Sequence, residues 1–148
     1  MNKAFLREPE SDGRAYCPAC GSLGDPVQRA CLDHHIRSEA RSRMGNEGWF
    51  CPYAECETVY FDEYLRTVSS AELQQPVYPK SLDAPICGCF GFTLEELDAA
   101  VVERSPTAIR DVLAKSKTPA ADCARLAAGG KCCVGELQKL YIRGINAD

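Results

Sequence analysis

The chain has 148 residues, ten of them cysteine, and a formal net charge of −4 at pH 7, a length that allows one domain or two small ones. The acidic excess lies in residues 1–79, with 8 Lys and Arg against 12 Asp and Glu, whereas residues 80–148 balance at 9 against 9. Without a basic surplus we expect no nucleic-acid binding, and no apolar run approaches the ~20 residues that membrane insertion requires.

The first residues do not resemble a secretion signal, because Lys3, Arg7 and Glu8 interrupt them before an apolar segment could form. We therefore expect a cytoplasmic protein, in a reducing compartment where clustered cysteines bind metal more often than they form disulfides. Two halves of roughly 70 residues would each have a thin apolar core, so bound metal is expected to add stability.

Residues 1–14 are polar, have no apolar period and are predicted to form a flexible tail. Cys17 and Cys20 follow, with Pro18 after the first cysteine and Gly21 after the second. This pattern is typical of a zinc knuckle, in which a tight turn brings two sulfurs to one ion. Glycine allows the positive φ that the chain needs to leave such a turn.

Residues 27–44 are predicted to form a short helix or turn, which Gly45 can stop. Cys31 and His34 within it could share a helix face and bind a transition metal, or one of the two could replace a cysteine at the zinc. Such residues are more often ordinary helix surface or core. We keep Cys31, His34 and His35, together with Cys132, as a secondary set of candidate metal ligands.

Residues 48–51 and 56–61 are rich in aromatic and β-branched residues and are predicted to form two short strands. The loop between them carries a second pair of cysteines. A pair at a hairpin loop opposite a pair at a knuckle is typical of treble-clef or ribbon-like zinc modules. The predicted zinc ligands are Cys17, Cys20, Cys51 and Cys56.

Residues 62–73 are predicted to continue into a strand end and a short helix. Pro76 and Pro79 make the next segment extended and form a rigid spacer. This spacer divides the predicted zinc-binding domain, residues 15–79, from a second domain, residues 80–148.

The second domain is predicted to be small and all-α, which makes the whole chain α+β. Thr93 and Glu96 form a capping box at the start of its first helix. Pro106 ends that helix, Thr107 can start another, and the last helix is predicted over residues 134–143.

The remaining cysteines belong to this helical half. Cys87 and Cys89 precede its first helix, whereas Cys123 and the doublet Cys132-Cys133 come after the second. Two close groups of thiols separated by a helical segment can form a four-thiolate site for an iron–sulfur cluster.

Two family resemblances accompany these patterns. Residues 87–93, Cys-Gly-Cys-Phe-Gly-Phe-Thr, and residues 130–134, Gly-Lys-Cys-Cys-Val, resemble the bacterioferritin-associated ferredoxin-like 2Fe–2S domain. Residues 17–21 and 50–61 resemble the zinc-binding part of the N-terminal region of CopZ copper chaperones, in which the zinc part precedes a cluster part. Together the resemblances cover about residues 15–145.

The resemblance implies zinc at the four N-terminal cysteines and a 2Fe–2S cluster at Cys87, Cys89, Cys123 and one member of the doublet. We choose Cys133, because Val134 follows it directly and an apolar residue follows the last ligand in the family. Cys132 is the alternative, or else a spare thiol for copper.

The implied function is one-electron transfer in support of soft-metal handling, by reducing Cu(II) to Cu(I) or by passing transiently bound Cu⁺ to a carrier or transporting ATPase. CopZ chaperones of this kind add a copper-carrying domain with a Met-x-Cys-x-x-Cys loop, which neither Met1 nor Met44 heads. We therefore expect the copper-delivery half to be missing and another redox partner or carrier to act with the chain.

Two other functions stay open. The chain could be a non-redox, metal-stapled interaction module that docks on a metal transporter or regulator. An enzyme is not expected, because the sequence offers no catalytic array, although weak metal-reductase activity would follow from a cluster.

Overall fold

The computed structural model describes residues 14–147, so the predicted tail lies outside the described residues except for Arg14. The described part of the chain has a β-rich N-terminal half and a helical C-terminal half. In chain order its elements are β1 (Asp25–Val27), α1 (Arg29–His35), α2 (Ser38–Arg41), β2 (Gly48–Phe50), β3 (Thr58–Asp62), β4 (Thr67–Ser69), a 3-10 helix (Ser70–Glu72), α3 (Leu94–Glu103), α4 (Thr107–Ser116), α5 (Cys123–Leu126) and α6 (Val134–Asn146).

The four strands form one antiparallel sheet in the order β1-β2-β3-β4. The central strands β2 and β3 confirm the two strands predicted from aromatic and β-branched residues. The edge strands β1 and β4 were not predicted, because each has only three residues and Pro26 occupies the middle of β1. Proline is tolerated at a sheet edge, where its missing N–H takes no hydrogen bond from the ladder. The fold is thus mixed α+β, as predicted.

The predicted helix at residues 27–44 is two shorter helices, α1 and α2. Between them Ile36 is extended and pairs with Leu73 in an isolated bridge. The Arg37 N–H also donates to the Glu72 carbonyl at 2.9 Å, and the Gln74 N–H donates to the His35 carbonyl at 2.8 Å. Pairing with this distant segment therefore interrupts the helix that the local sequence predicts.

A buried carboxylate organises the turn between β3 and β4. Asp62 is fully buried, and its Oδ1 accepts hydrogen bonds from the Tyr64 and Arg66 N–H groups at 3.0 and 2.9 Å. Its Oδ2 accepts from the Gly45 N–H and the Arg66 Nε at 2.9 and 3.0 Å. Four donors compensate for the cost of burying the charge.

The helical half packs around a separate apolar cluster. The Thr93 Oγ1 accepts from the Glu96 N–H at 3.2 Å, which confirms the predicted capping box, and α4 begins at Thr107 as expected. The cluster joins the segment before α3 to the three longer helices and contains Ile86, Cys87, Phe92, Leu97, Ile109, Val112, Val134 and Leu137.

The short helix α5 lies against α1 of the N-terminal half rather than being confined to the helical half. Ala128, which follows α5, packs on the N-terminal cluster that contains Leu32, Phe50 and Tyr60. The two halves therefore touch through the segment between Cys123 and the cysteine doublet. Among residues 14–147, no helix combines the length and apolar character needed to cross a membrane.

Candidate metal centres

The first pair of N-terminal cysteines lies on a tight turn. The Gly21 N–H donates to the Cys17 carbonyl and the Cys17 N–H donates to the Ser22 carbonyl, both at 2.8 Å. Gly21 has φ +78°, the conformation that the sequence predicts for the residue leaving the knuckle. The turn thus directs the thiols of Cys17 and Cys20 toward one point.

The second pair lies on the connection between β2 and β3. The Cys51 N–H donates to the Val59 carbonyl at 2.8 Å, which continues the ladder for one step beyond β2. The Cys56 carbonyl accepts from Lys80 Nζ at 3.1 Å. Trp49 and Phe61 stack at 5.8 Å beneath this connection and pack with Cys51 in one apolar cluster.

The two pairs converge on a single group of four sulfur atoms. The Sγ atoms of Cys17, Cys20, Cys51 and Cys56 all lie within 4.8 Å of one another. The Cys17–Cys56 and Cys20–Cys51 sulfur distances are 3.9 and 3.5 Å. Tetrahedral zinc with bonds of about 2.3 Å to sulfur separates its ligands by about 3.8 Å. The group therefore fits Zn²⁺.

Three of these thiols, Cys17, Cys20 and Cys51, differ in how readily they ionise. Burial opposes ionisation of Cys20, but hydrogen bonds with the Ser22 side chain and backbone outweigh it and lower the pKa of Cys20 to about 7. Burial raises the pKa of Cys51 to about 12, and it also raises the pKa of Cys17. Because the thiolate is the metal ligand, an incoming ion must displace protons mainly from the buried sulfurs.

The candidate cluster ligands lie at the ends of elements in the helical half. Cys87 pairs with Phe92 in an isolated bridge, Cys123 is the first residue of α5 and Cys133 is the residue before α6. Cys89 lies in the loop after Cys87. Elements from two separate parts of the helical half thus supply the thiols.

Four of these thiols form two pairs. Cys87 and Cys133 lie close together, and their interaction lowers the pKa of Cys87 to about 6 and raises the pKa of Cys133. Burial is the main effect that raises the pKa of Cys123 to about 11, and the nearby Cys89 raises it further. Each pair contains one cysteine from residues 87–89 and one from residues 123–133.

Backbone donors and close packing complete this second group. The Phe90 N–H donates to Cys87 Sγ at 3.3 Å and the Asp122 N–H donates to Cys89 Sγ at 3.2 Å. A Cβ atom at Gly88 would lie 2.3 Å from the Leu126 carbonyl oxygen, so the loop approaches the end of α5 more closely than a side chain allows. Cys132 is exposed.

The secondary candidates occupy the boundary between the halves. Cys31 is fully buried, its thiol donates to the Ala127 carbonyl at 3.4 Å, and burial raises its pKa to about 11. His34 is exposed, whereas His35 is half-buried with an unpartnered Nε2, and burial lowers its pKa to about 4. Both histidines line a cavity of about 710 Å³ that Cys132 also lines.

Comparison with known proteins places the N-terminal group in a family context. Residues 14–74 match the family model zf_CopZ, described as a zinc binding domain. This part of the chain is therefore similar to CopZ-type zinc-binding domains, as its sequence predicts.

Most of the chain is also similar to a curated protein and to a solved structure. It is 27% identical over 126 residues to the copper chaperone CopZ of Archaeoglobus fulgidus, an alignment that covers 84% of this chain and 60% of the relative. The chain thus spans about three-fifths of the relative's length. The X-ray structure of the A. fulgidus CopZ N-terminal domain matches with a TM-score of 0.71 at 24% identity, over 84% of this chain and 96% of that one. This second likeness shows a shared fold.

Replacing Gly88 by alanine tests the close approach of the early loop to α5. The added Cβ would collide with a backbone carbonyl, so we expect the free energy of unfolding in urea to fall by about 2 kcal/mol. Gly135→Ala is the matched control, because it lies in α6 with no atom near its Cβ position. That change should instead stabilise the protein by up to about 1 kcal/mol. Equal stability of the two variants would contradict the packing described.

Proposed function

We propose that the chain is a metal-handling protein that holds zinc at Cys17, Cys20, Cys51 and Cys56 and a 2Fe–2S cluster at Cys87, Cys89, Cys123 and Cys133. It would transfer single electrons in the cytoplasm in support of copper handling. The observation that carries the proposal is the close contact of the Cys87–Cys89 loop with α5, which begins at Cys123, in a chain that also matches a CopZ-type zinc-binding domain.

The donor set suits a cluster better than a single ion. A 2Fe–2S cluster needs four thiolates, and Cys87 and Cys89 from one segment with Cys123 and Cys133 from another would supply them. Within residues 14–147, the zinc group is the set whose ligand atoms all lie within 4.8 Å. Two iron atoms hold their thiolates farther apart than one zinc ion does, so the wider second group is consistent with the proposal.

The geometry supports Cys133 over Cys132 as the fourth ligand. Cys133 is half-buried and close enough to Cys87 for the two thiols to perturb each other's pKa, whereas Cys132 is exposed. Cys133 also immediately precedes α6, where the positive end of the helix favours a thiolate.

The surroundings of the second group would tune a cluster once it is bound. A 2Fe–2S cluster supplies reversible one-electron exchange, at a potential that hydrogen bonds to its sulfurs and its burial set. The Phe90 and Asp122 N–H groups already donate to Cys87 and Cys89. Such donors stabilise negative charge on sulfur and therefore favour the reduced state.

Copper is the proposed substrate because its two ions prefer different ligands. Cu(I) binds thiolates and Cu(II) prefers nitrogen and oxygen, so a thiol-based carrier takes only the reduced ion. The reduced protein would give one electron to Cu(II), and a one-electron donor protein would then restore that electron. The product Cu⁺ would pass to a copper carrier or a transporting ATPase.

Zinc has no redox chemistry, so its proposed role is structural. The four ligands join the knuckle to the β2–β3 connection, and the small aromatic cluster of Trp49 and Phe61 lies beside them. A core of this size gains much of its stability from bound metal.

Anaerobic purification tests the proposed cofactors. Elemental analysis should give about two iron, two sulfide and one zinc per chain, with an EPR signal that appears on reduction. Cys133→Ser should lose or strongly alter the visible and EPR spectra, whereas Cys132→Ser should leave both intact. An iron-free protein from cells with intact cluster assembly would refute the cluster, and the opposite response of the two variants would reverse the ligand choice.

The structural role of zinc can be tested apart from the cluster. Cys51→Ser should lose zinc and lower the free energy of unfolding by about 3 kcal/mol or more, because one ligand of a folding-coupled site is removed. Cys132→Ser is the control and should keep one zinc and near-normal stability. Retention of zinc and full stability by Cys51→Ser would contradict the ligand set.

Copper reduction separates the redox proposal from a metal-stapled interaction module. Protein reduced under anaerobic conditions and mixed with excess Cu(II) should yield about one Cu(I) per chain, read with a Cu(I)-specific chromogenic chelator. Oxidised protein serves as the control for thiol-dependent reduction. A cluster that decomposes on reduction, or no Cu(I) above the control, would favour the non-redox module.

A further inference from the structure

The segment between Cys123 and the Cys132-Cys133 doublet makes its main contacts with the N-terminal half of the protein. We call residues 127–131 the ligand loop, because Cys123 precedes it and Cys132 and Cys133 follow it. α5, which leads into the loop, has only four residues, too few to be stable without tertiary contacts. Ala128 packs on the N-terminal cluster and the loop contributes no residue to the helical cluster.

Two buried side chains of the N-terminal half bond to the backbone of the ligand loop. The Tyr60 hydroxyl donates to the Ala128 carbonyl at 2.6 Å. The Cys31 thiol donates to the Ala127 carbonyl at 3.4 Å and approaches the Ala128 carbonyl at 3.6 Å. Tyr60 and Cys31 are both fully buried, so water does not compete for these bonds.

Packing and charge reinforce the same contact. Gly130 has φ +70° and lies against Val27, where an added Cβ would be 3.2 Å from a methyl carbon. Lys131 Nζ lies 2.8 Å from Asp25 Oδ1 at the exposed rim, where an ion pair contributes little. The buried Tyr60 and Cys31 bonds are therefore the specific part of the contact.

We propose that Tyr60 and Cys31 are positioning residues that hold the ligand loop and thereby set the placement of Cys123 and Cys133. This inference rests on the proposed cluster at those cysteines. Tyr60 lies on β3, which begins two residues after Cys56, and Val59 pairs with Cys51. The strand that carries the Tyr60 hydroxyl is thus fixed at one end by the zinc ligands, and the two metal centres are mechanically connected.

Tyr60→Phe removes the hydroxyl and keeps the ring that packs beside Phe50 and His35. Tyr64→Phe is the matched control, since Tyr64 is 69% exposed and its ring contacts Arg66 in the β3–β4 turn. The Ala127 and Gly130 amides, which bond to the Cys123 and Ala127 carbonyls, should exchange hydrogen for deuterium about tenfold faster in Tyr60→Phe than in wild type. The control should match wild type.

A spectroscopic measurement then tests whether the hydrogen bonds from Tyr60 and Cys31 to the ligand loop affect the proposed cluster ligands. In the purified 148-residue protein, Tyr60→Phe should keep its iron content but shift the EPR g-values and the midpoint potential of the proposed cluster. Tyr64→Phe should leave the g-values and the potential unchanged. Cys31→Ala removes the hydrogen bond from the Cys31 thiol to the Ala127 carbonyl, and it should change the amide exchange rates and the spectra in the same direction. This variant replaces Tyr60→Phe in the test if Tyr60→Phe does not fold.

The outcomes separate this inference from the proposed function. Amide exchange rates within twofold of wild type in both Tyr60→Phe and Cys31→Ala would show that these side chains do not hold the ligand loop. Faster exchange with unchanged spectra and potential would overturn the positioning of the ligands. Iron-free wild-type protein would refute the cluster and with it the positioning role, while faster exchange would still establish the contact of the loop.

Discussion

The convergence of four thiols on one point is the constraint on which the N-terminal half depends. The knuckle and the β2–β3 connection are far apart in sequence, and the sheet between them has strands of only three to five residues. Short strands with a thin core are marginal by themselves. Four sulfurs within 4.8 Å of one another bring these two turns together at one end of the sheet, where a bound zinc ion would hold them.

That end of the sheet supports more than the sheet itself. β3 runs from the zinc connection into the core and presents Tyr60 to the loop after α5. The helical half has its own apolar cluster, yet its cysteine-bearing loop rests on the neighbouring half. Two regions that look independent in sequence therefore share one contact surface, and the geometry of the second thiol group depends on both.

Local patterns in the sequence predicted the elements that local interactions determine. The aromatic strands, the Thr93 capping box, the start of α4 and the positive φ of Gly21 all follow from short-range chemistry, and the structure confirms them. The break between α1 and α2 and the edge strands could not be predicted, because each depends on pairing with distant segments. The cysteine spacing indicated which thiols matter, but it gave no sign that the Tyr60 hydroxyl bonds to the ligand loop, since that contact spans 68 residues.

The strict sequence order of the sheet strands has a consequence for biosynthesis. Each strand pairs with the next one along the chain, so the sheet can form as it leaves the ribosome, without waiting for later segments. The surface that receives residues 127–131 is then complete before those residues are made. The nascent C-terminal half therefore meets a finished template.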